Sequence, residues 1–199
     1  NGNVSSRTDF NGNLSCYSYD LTRNLETSRT EGIGGTCASP VSKPESRVTT
    51  TQWHATFRLP TQIDEYAGVA ATGTPVRRTV MAYDAKGNVT TRTVTDVAKA
   101  LSRTWTNTYT YSTVVPGAIA QRVVNGPRTD VTDTTTYVHY AADATCPDPF
   151  PVSGVTNYGC RGQVQTITNA LNQVTTVSAY NHHGQPLQIT DVNGVVTSL

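Results

Sequence analysis

Turn punctuation constrains this chain more than any other feature. Short segments led by Asp or Asn and closed by Gly recur between runs of β-branched residues. Asp84-Ala85-Lys86-Gly87 is one, Asn181-His182-His183-Gly184 a second, and Asp191-Val192-Asn193-Gly194 a third. A side-chain oxygen at the first position accepts from nearby backbone N–H groups, and Gly supplies the left-handed residue that closes a type I turn. With a G1 bulge after it, such a turn joins two antiparallel strands. Asp20-Leu21-Thr22-Arg23-Asn24 is a looser copy in which Asn24 takes the left-handed position. Trp53-His54-Ala55-Thr56-Phe57-Arg58-Leu59 is a decayed copy, with Trp-His standing for Tyr-Asp.

The spacing between turns is that of a strand. Gly184 to Asp191, Gly162 to Asn169 and Phe57 to Asp64 each span seven residues, and Gly87 to Asp96 spans nine. Each interval holds a strand of about six residues, or roughly 20 Å. The C-terminal part reads most clearly: strand 163–168, turn 169–172, strand 173–180, turn 181–184, strand 185–190, turn 191–194. Composition agrees, with 35 Thr and 23 Val against 8 Leu and 1 Met. β-Branched side chains suit a pleated surface, whereas Leu and Met are the usual filling of helices. The expectation is an all-β antiparallel meander, with at least half of the residues in strands and almost no helix.

Tyr19-Asp20, Tyr83-Asp84, and Tyr180-Asn181 followed by Gly184 and "ITDVNG" resemble the YD repeats of bacterial Rhs proteins. The strings "YDLTRNLETSRTEG", "TTQWHATFRLPTQID" and "NGPRTDVTD" are similar to that family as well. The resemblance covers nearly the whole of residues 1–199 as a single domain, with repeat-like units near 10–31, 53–64, 83–96, 111–126, 140–169 and 180–194. It implies a long, curved or spiralling β-sheet that closes into a hollow shell. In complete proteins the shell encloses a C-terminal toxin, and related shells occur in toxin complexes and teneurins. A chain of 199 residues is too short to close a shell alone and ends at "NGVVTSL", before any toxin. Its start at Asn1-Gly2-Asn3 reads as a mature form or a fragment.

Three inserts interrupt the rhythm: 32–47, 65–76 and 141–161. The last carries Pro147, Pro149 and Pro151, which exclude a regular strand or helix, and it is read as a tip loop projecting from the sheet edge. The four cysteines follow the inserts. Three pairings are open; Cys16–Cys37 flanks the first insert and Cys146–Cys160 brackets the third, which favours those two. Bridges imply an oxidising compartment: the cell surface or medium, or the periplasm. No CxxC or CxxH spacing points to zinc.

No residue constellation points to catalysis, a cofactor or a metal. His182 and His183 occupy the two central positions of a turn, from which neighbouring side chains diverge. His54 and His139 read as cross-strand partners in strand-like context. No GxSxG, GxGxxG or phosphate loop occurs. Asp130 and Asp133 read as part of a polar ladder on a solvated sheet face. Tyr109, Tyr111, Tyr137, Tyr140 and Trp105 would suit a carbohydrate face, but a Tyr before each turn reads first as sheet packing. Asn3, Asn13 and Asn88 head N-x-S/T sequons, which matter only in a glycosylating host.

The net charge of +1 comes from 15 basic and 14 acidic residues, with no basic stripe for nucleic acid. No apolar run reaches membrane-span length, and no signal-peptide pattern opens the chain. The reading is a bacterial, secreted or surface-exposed scaffold without enzyme activity. Its structural turns are marked by Asp20, Asp84, Gly87, Asn181, Gly184, Asp191 and Gly194. The outermost strands are expected near 13–19 and 195–199. Val195, Val196, Thr197, Ser198 and Leu199 form an apolar, β-branched segment suited to edge pairing. The partners it allows are a second copy of the chain, adjoining YD repeats, or carbohydrate.

Overall fold

A computed structural model describes residues 2–148 and 151–199. Asn1, in the Asn1-Gly2-Asn3 start, and Pro149, in the three-proline stretch, lie outside the described residues. The chain divides into two compact units, Asn1–Thr104 and Trp105–Leu199.

The first unit contains β1 (Ser6–Thr8), β2 (Leu14–Asp20), β3 (Leu25–Gly35), β4 (Pro40–Val41), β5 (Arg47–Trp53), β6 (Pro60–Ala67), β7 (Arg77–Tyr83) and β8 (Val89–Asp96). The division falls inside β9 (Leu101–Tyr111). The second unit continues with β10 (Ile119–Asn125), β11 (Thr134–His139), β12 (Val164–Thr168), β13 (Val174–Tyr180), β14 (Pro186–Thr190) and β15 (Val196–Ser198). The strands pair in chain order as an antiparallel meander, with only the short β4 off the path, paired to β3. No helix occurs among the described residues. Strands take just under half of the described residues, short of the expected half, because inserts and turns take the rest.

Register follows from the period of two. Ser28, Thr50, Asp64, Arg78 and Thr95 stand side by side across five neighbouring strands, and Arg29, Thr49, Glu65, Arg77 and Asp96 form the row of opposite facing. The face of the second row carries ion pairs: Arg77–Glu65 within the row at 3.4 Å, and Arg47–Glu31 two residues along at 3.1 Å. In the first row Arg78 grips Asp64 through two bonds of 2.7 and 2.8 Å. Few large apolar side chains are buried in this unit; Leu25, Ile33 and Val48 are the main ones. Hydrogen bonding between strands and turns therefore carries much of the specification.

Several expectations are corrected. The outermost N-terminal strand is β1, ahead of residues 13–19, because Asp9-Phe10-Asn11-Gly12-Asn13 makes an unanticipated turn. The first insert is partly regular: β3 runs on to Gly35 and β4 folds back on it, while Ser46 donates to the Gly32 carbonyl at 2.8 Å. β6 likewise extends to Ala67, into the second insert. Asp130 and Asp133 lie in the loop between β10 and β11, not on a sheet face. There Arg128 pairs with Asp130 at 2.7 Å, and Asp133 accepts from the Arg128 amide. His54 lies in a turn rather than a strand. The third insert folds back instead of projecting. It packs Cys160, which is 0% exposed, against Val177 and Tyr180, with Tyr140, Ala144, Cys146 and Ile189 around them.

Candidate functional site

The feature that recurs in both units is a turn built by one side chain. In the turn after β7, the Asp84 amide donates to the Asn88 carbonyl (2.9 Å) and the Gly87 amide to the Asp84 carbonyl (3.0 Å). One Asp84 carboxylate oxygen accepts from the Lys86 and Asn88 amides at 2.8 and 2.9 Å. Gly87 has φ +85°, which a side chain would strain. Asp9–Asn13, Asn169–Gln173, Asn181–Gln185 and Asp191–Val195 repeat this pattern, with the equivalent bonds all between 2.8 and 3.1 Å. Gly12, Gly184 and Gly194 take the left-handed position, and Asn172 takes it at φ 60°. Aspartate and asparagine serve equally, because only a side-chain oxygen acceptor is required.

Looser copies keep the cap and change the loop. Asp20 accepts from the Thr22 and Arg23 amides at 2.9 and 3.3 Å, and Asn24 has φ 54°. Ser112 accepts from the Val114 and Val115 amides, both at 3.1 Å. At the decayed copy the imidazole takes the acid's place: His54 Nδ1 accepts from the Thr56 and Phe57 amides, each at 3.1 Å.

The aromatic residue before the cap has its own task. Tyr83 donates to the Pro60 carbonyl at 2.7 Å, Tyr180 to Val164 at 2.6 Å and Tyr19 to Val4 at 3.0 Å. Trp53 does the same through its indole N–H, to Glu26 at 2.8 Å. Pro60 and Val164 are the first residues of the strands paired with β7 and β13, and Glu26 is the second residue of β3, which pairs with β5. Tyr83, Tyr180 and Trp53 thus tie their own strands to the beginning of the neighbour that precedes them, and Tyr19 ties β2 to Val4, two residues ahead of β1. Burial raises the hydroxyl pKa of Tyr83, Tyr140 and Tyr180 and keeps them as donors; at Tyr180 the nearby Tyr140 adds to the rise.

Cys16–Cys37 and Cys146–Cys160 are bridged, with Cα separations of 5.7 and 5.5 Å. They fit an oxidising compartment, extracellular or periplasmic. Within the loop closed by the second bridge, the buried Asn157 side-chain amide donates to the Tyr180 carbonyl at 2.6 Å. His182 and His183 lie in the 181–185 turn; His182 Nε2 is 3.7 Å from Asp148, and the His183 amide donates to Asn181. His139 Nδ1 lies 2.9 Å from the Gly162 carbonyl, across the β11–β12 pair. Tyr109 and Tyr111 lie with ring centroids 6.3 Å apart on β9, which also carries Trp105, and Arg122 lies 6.0 Å from the Tyr137 ring. Val195, Val196 and Leu199 are exposed, and Val196, Thr197 and Ser198 pair with β14. Among the described residues, no group of three His, Cys, Asp or Glu is placed to hold a metal ion. Among the described residues, no helix is long and apolar enough to cross a membrane.

No protein-family model matches the chain, and no curated protein matches it. Among solved structures, a porin-like protein from Bacteroides uniformis ATCC 8492 is similar, at 14% identity over 98% of this chain and 91% of that one, with a TM-score of 0.28. A likeness of that size carries no argument.

Proposed function

We propose that this chain is a non-enzymatic structural scaffold built of Rhs/YD-type repeats, secreted or exposed on a bacterial surface, that extends its sheet by strand addition. The observation that supports this reading is where the polar side chains are spent. Asp9, Asp84, Asn169, Asn181 and Asp191 each bind backbone amides of their own turn. Tyr19, Trp53, Tyr83 and Tyr180 each bind a backbone carbonyl of a neighbouring segment. Groups of the kind that elsewhere do chemistry are used here to set register.

Among the described residues β1 and β15 stand at the ends of the strand path, each paired on one side. An unpaired strand side is a row of free N–H and C=O groups ready to accept another strand. Addition of the last strand of one copy to the first of the next is heterologous, so it propagates as a fibre or closes as a ring. The alternative is a wall segment of a larger shell, in which the same edges join further repeats. Light scattering and electron microscopy of the purified protein separate the two. Fibres or rings support self-assembly; a stable monomer at high concentration rules it out and leaves the shell segment.

A further inference from the structure

One cap in this chain uses a nitrogen acceptor in place of an oxygen. Asp20, Asp84, Ser112 and Asn181 cap their turns with oxygen atoms. The turn between β5 and β6 instead depends on an imidazole nitrogen. A neutral imidazole has one acceptor nitrogen, and Nδ1 receives both amides, so the ring proton sits on Nε2. The ring stacks on Phe57 at 4.8 Å and meets Tyr83 edge-on at 6.2 Å.

Two arginines and a tyrosine come from the elements packed around the ring. Arg23, from the β2–β3 turn, donates to the His54 and Phe57 carbonyls at 2.7 and 2.9 Å. Arg58, in the His54 turn itself, donates back to the Arg23 and Asn24 carbonyls at 2.6 and 2.9 Å. Two guanidinium groups thus clamp the neighbouring turns to each other. The Tyr83 hydroxyl is a neutral donor committed to Pro60. Asp20 and Asp84, the acids of the adjacent turns, accept from their own amides. Protonated His54 would turn an N–H toward the two amide N–H groups from which it now accepts.

We propose that His54 is an acid-sensitive cap, whose protonation opens the 54–59 turn and releases the Arg23–Arg58 clamp while the Asp84 turn stays closed. The device does not depend on what the scaffold assembles into.

Amide hydrogen exchange of the intact, disulfide-bonded chain at about pH 8 and about pH 5 spans the range in which histidine gains its proton. After correction for intrinsic rates, Thr56 and Phe57 should lose protection about five-fold, the scale of one lost side-chain cap. Lys86 and Asn88, capped by Asp84, should keep theirs. His54→Asn should remove the pH response at residues 56 and 57. Equal loss of protection at both turns, or a full response retained in His54→Asn, overturns the proposal. Should that variant not fold, the comparison of the two turns within the wild-type chain decides alone.

Discussion

Replacing Tyr180 by Phe isolates the aromatic tie from the packing of its ring. The ring is 5% exposed and packs with Cys160 and Val177, and Phe keeps all of that. The loss is one hydrogen bond of 2.6 Å to the Val164 carbonyl, at a site where water has little access. A typical bond contributes about 1 kcal/mol net, and a buried acceptor left without its donor costs about 1–3 kcal/mol. A carbonyl has a second lone pair and Val164 lies in a paired strand, so the lower part of that range applies, about 1.5 kcal/mol. Tyr19→Phe removes the equivalent tie to Val4, but that bond is exposed and water replaces it, at a cost of about 0.5 kcal/mol or less.

Urea unfolding read at constant m-value gives both differences, and hydrogen exchange across β12 and β13 assigns the Tyr180 effect to its own unit. Thermal melts should show a drop of about 6–12 °C for Tyr180→Phe where the unit Trp105–Leu199 melts on its own, the scale for a unit of that size. Alkaline pH supplies an independent check. Burial raises the Tyr180 pKa above that of the unfolded chain, with the Tyr140 charge adding to it. Its contribution is therefore complete below the unfolded value near about 10 and is lost as pH rises through the higher folded value. Tyr180→Phe should remove part of that alkaline loss. Equal effects of Tyr180→Phe and Tyr19→Phe would refute the reasoning, because burial would then have no bearing on the tie.

Two further perturbations test other parts of the lattice. Gly87→Val should destabilise by about 1–2 kcal/mol through left-handed strain, since Gly87 has φ +85° and its added Cβ would also lie 3.3 Å from Leu59 Cδ1; an unchanged melting temperature would refute the turn. Asp64, 4% exposed, is held below the usual carboxylate range chiefly by hydrogen bonds from Arg78. Its stabilisation is present above the unfolded value of about 3.9 and lost as pH falls through the depressed folded value. Asp64→Asn should flatten that acid limb in pH-dependent melts. It should cost about 1–2 kcal/mol, less than breaking a fully buried pair, because the Arg78 side chain is 41% exposed.

Turns were legible because their chemistry is local. Asp84, Asn181 and Asp191 announce themselves through an oxygen acceptor and a Gly three residues on, and all three form the expected turn. Asp9-Phe10-Asn11-Gly12 carries the same signature, but a search keyed to an aromatic before the acid passes over it. Asp130 and Asp133 were misplaced although Gly126-Pro127 marks the end of β10: proline brings no N–H and restricts the residue before it. The aromatic ties were not legible at all. Tyr19 reaches a residue 15 positions away and Trp53 one 27 positions away, and such a partner is known only once register is fixed. Cysteine spacing indicated the Cys146–Cys160 bridge, but not that Cys160 would seed the core of its unit.

The third insert falls at the aromatic whose following residue cannot cap. Tyr140 is followed by Ala141, which offers no acceptor, whereas Asp20, His54, Asp84, Ser112 and Asn181 follow the other five. Without a cap the strand end is closed by backbone bonds, the Tyr140 amide donating to Gln163 at 2.9 Å and the Gly162 amide to Tyr140 at 3.3 Å, with His139 Nδ1 at the Gly162 carbonyl. The long excursion between them carries a closure entropy that a tight turn avoids. The Cys146–Cys160 bridge offsets it by restricting the unfolded loop, by about 3 kcal/mol in the chain-entropy model. Asn157 then holds the loop on the sheet through the Tyr180 carbonyl. Tyr140 no longer ties back to the preceding strand: its hydroxyl donates forward to the Val177 carbonyl at 2.9 Å, and its ring meets Tyr180 edge-on. Loss of one capping side chain is thus answered by a covalent bridge, a buried amide and a redirected tyrosine, and this is where the second unit acquires its buried cluster.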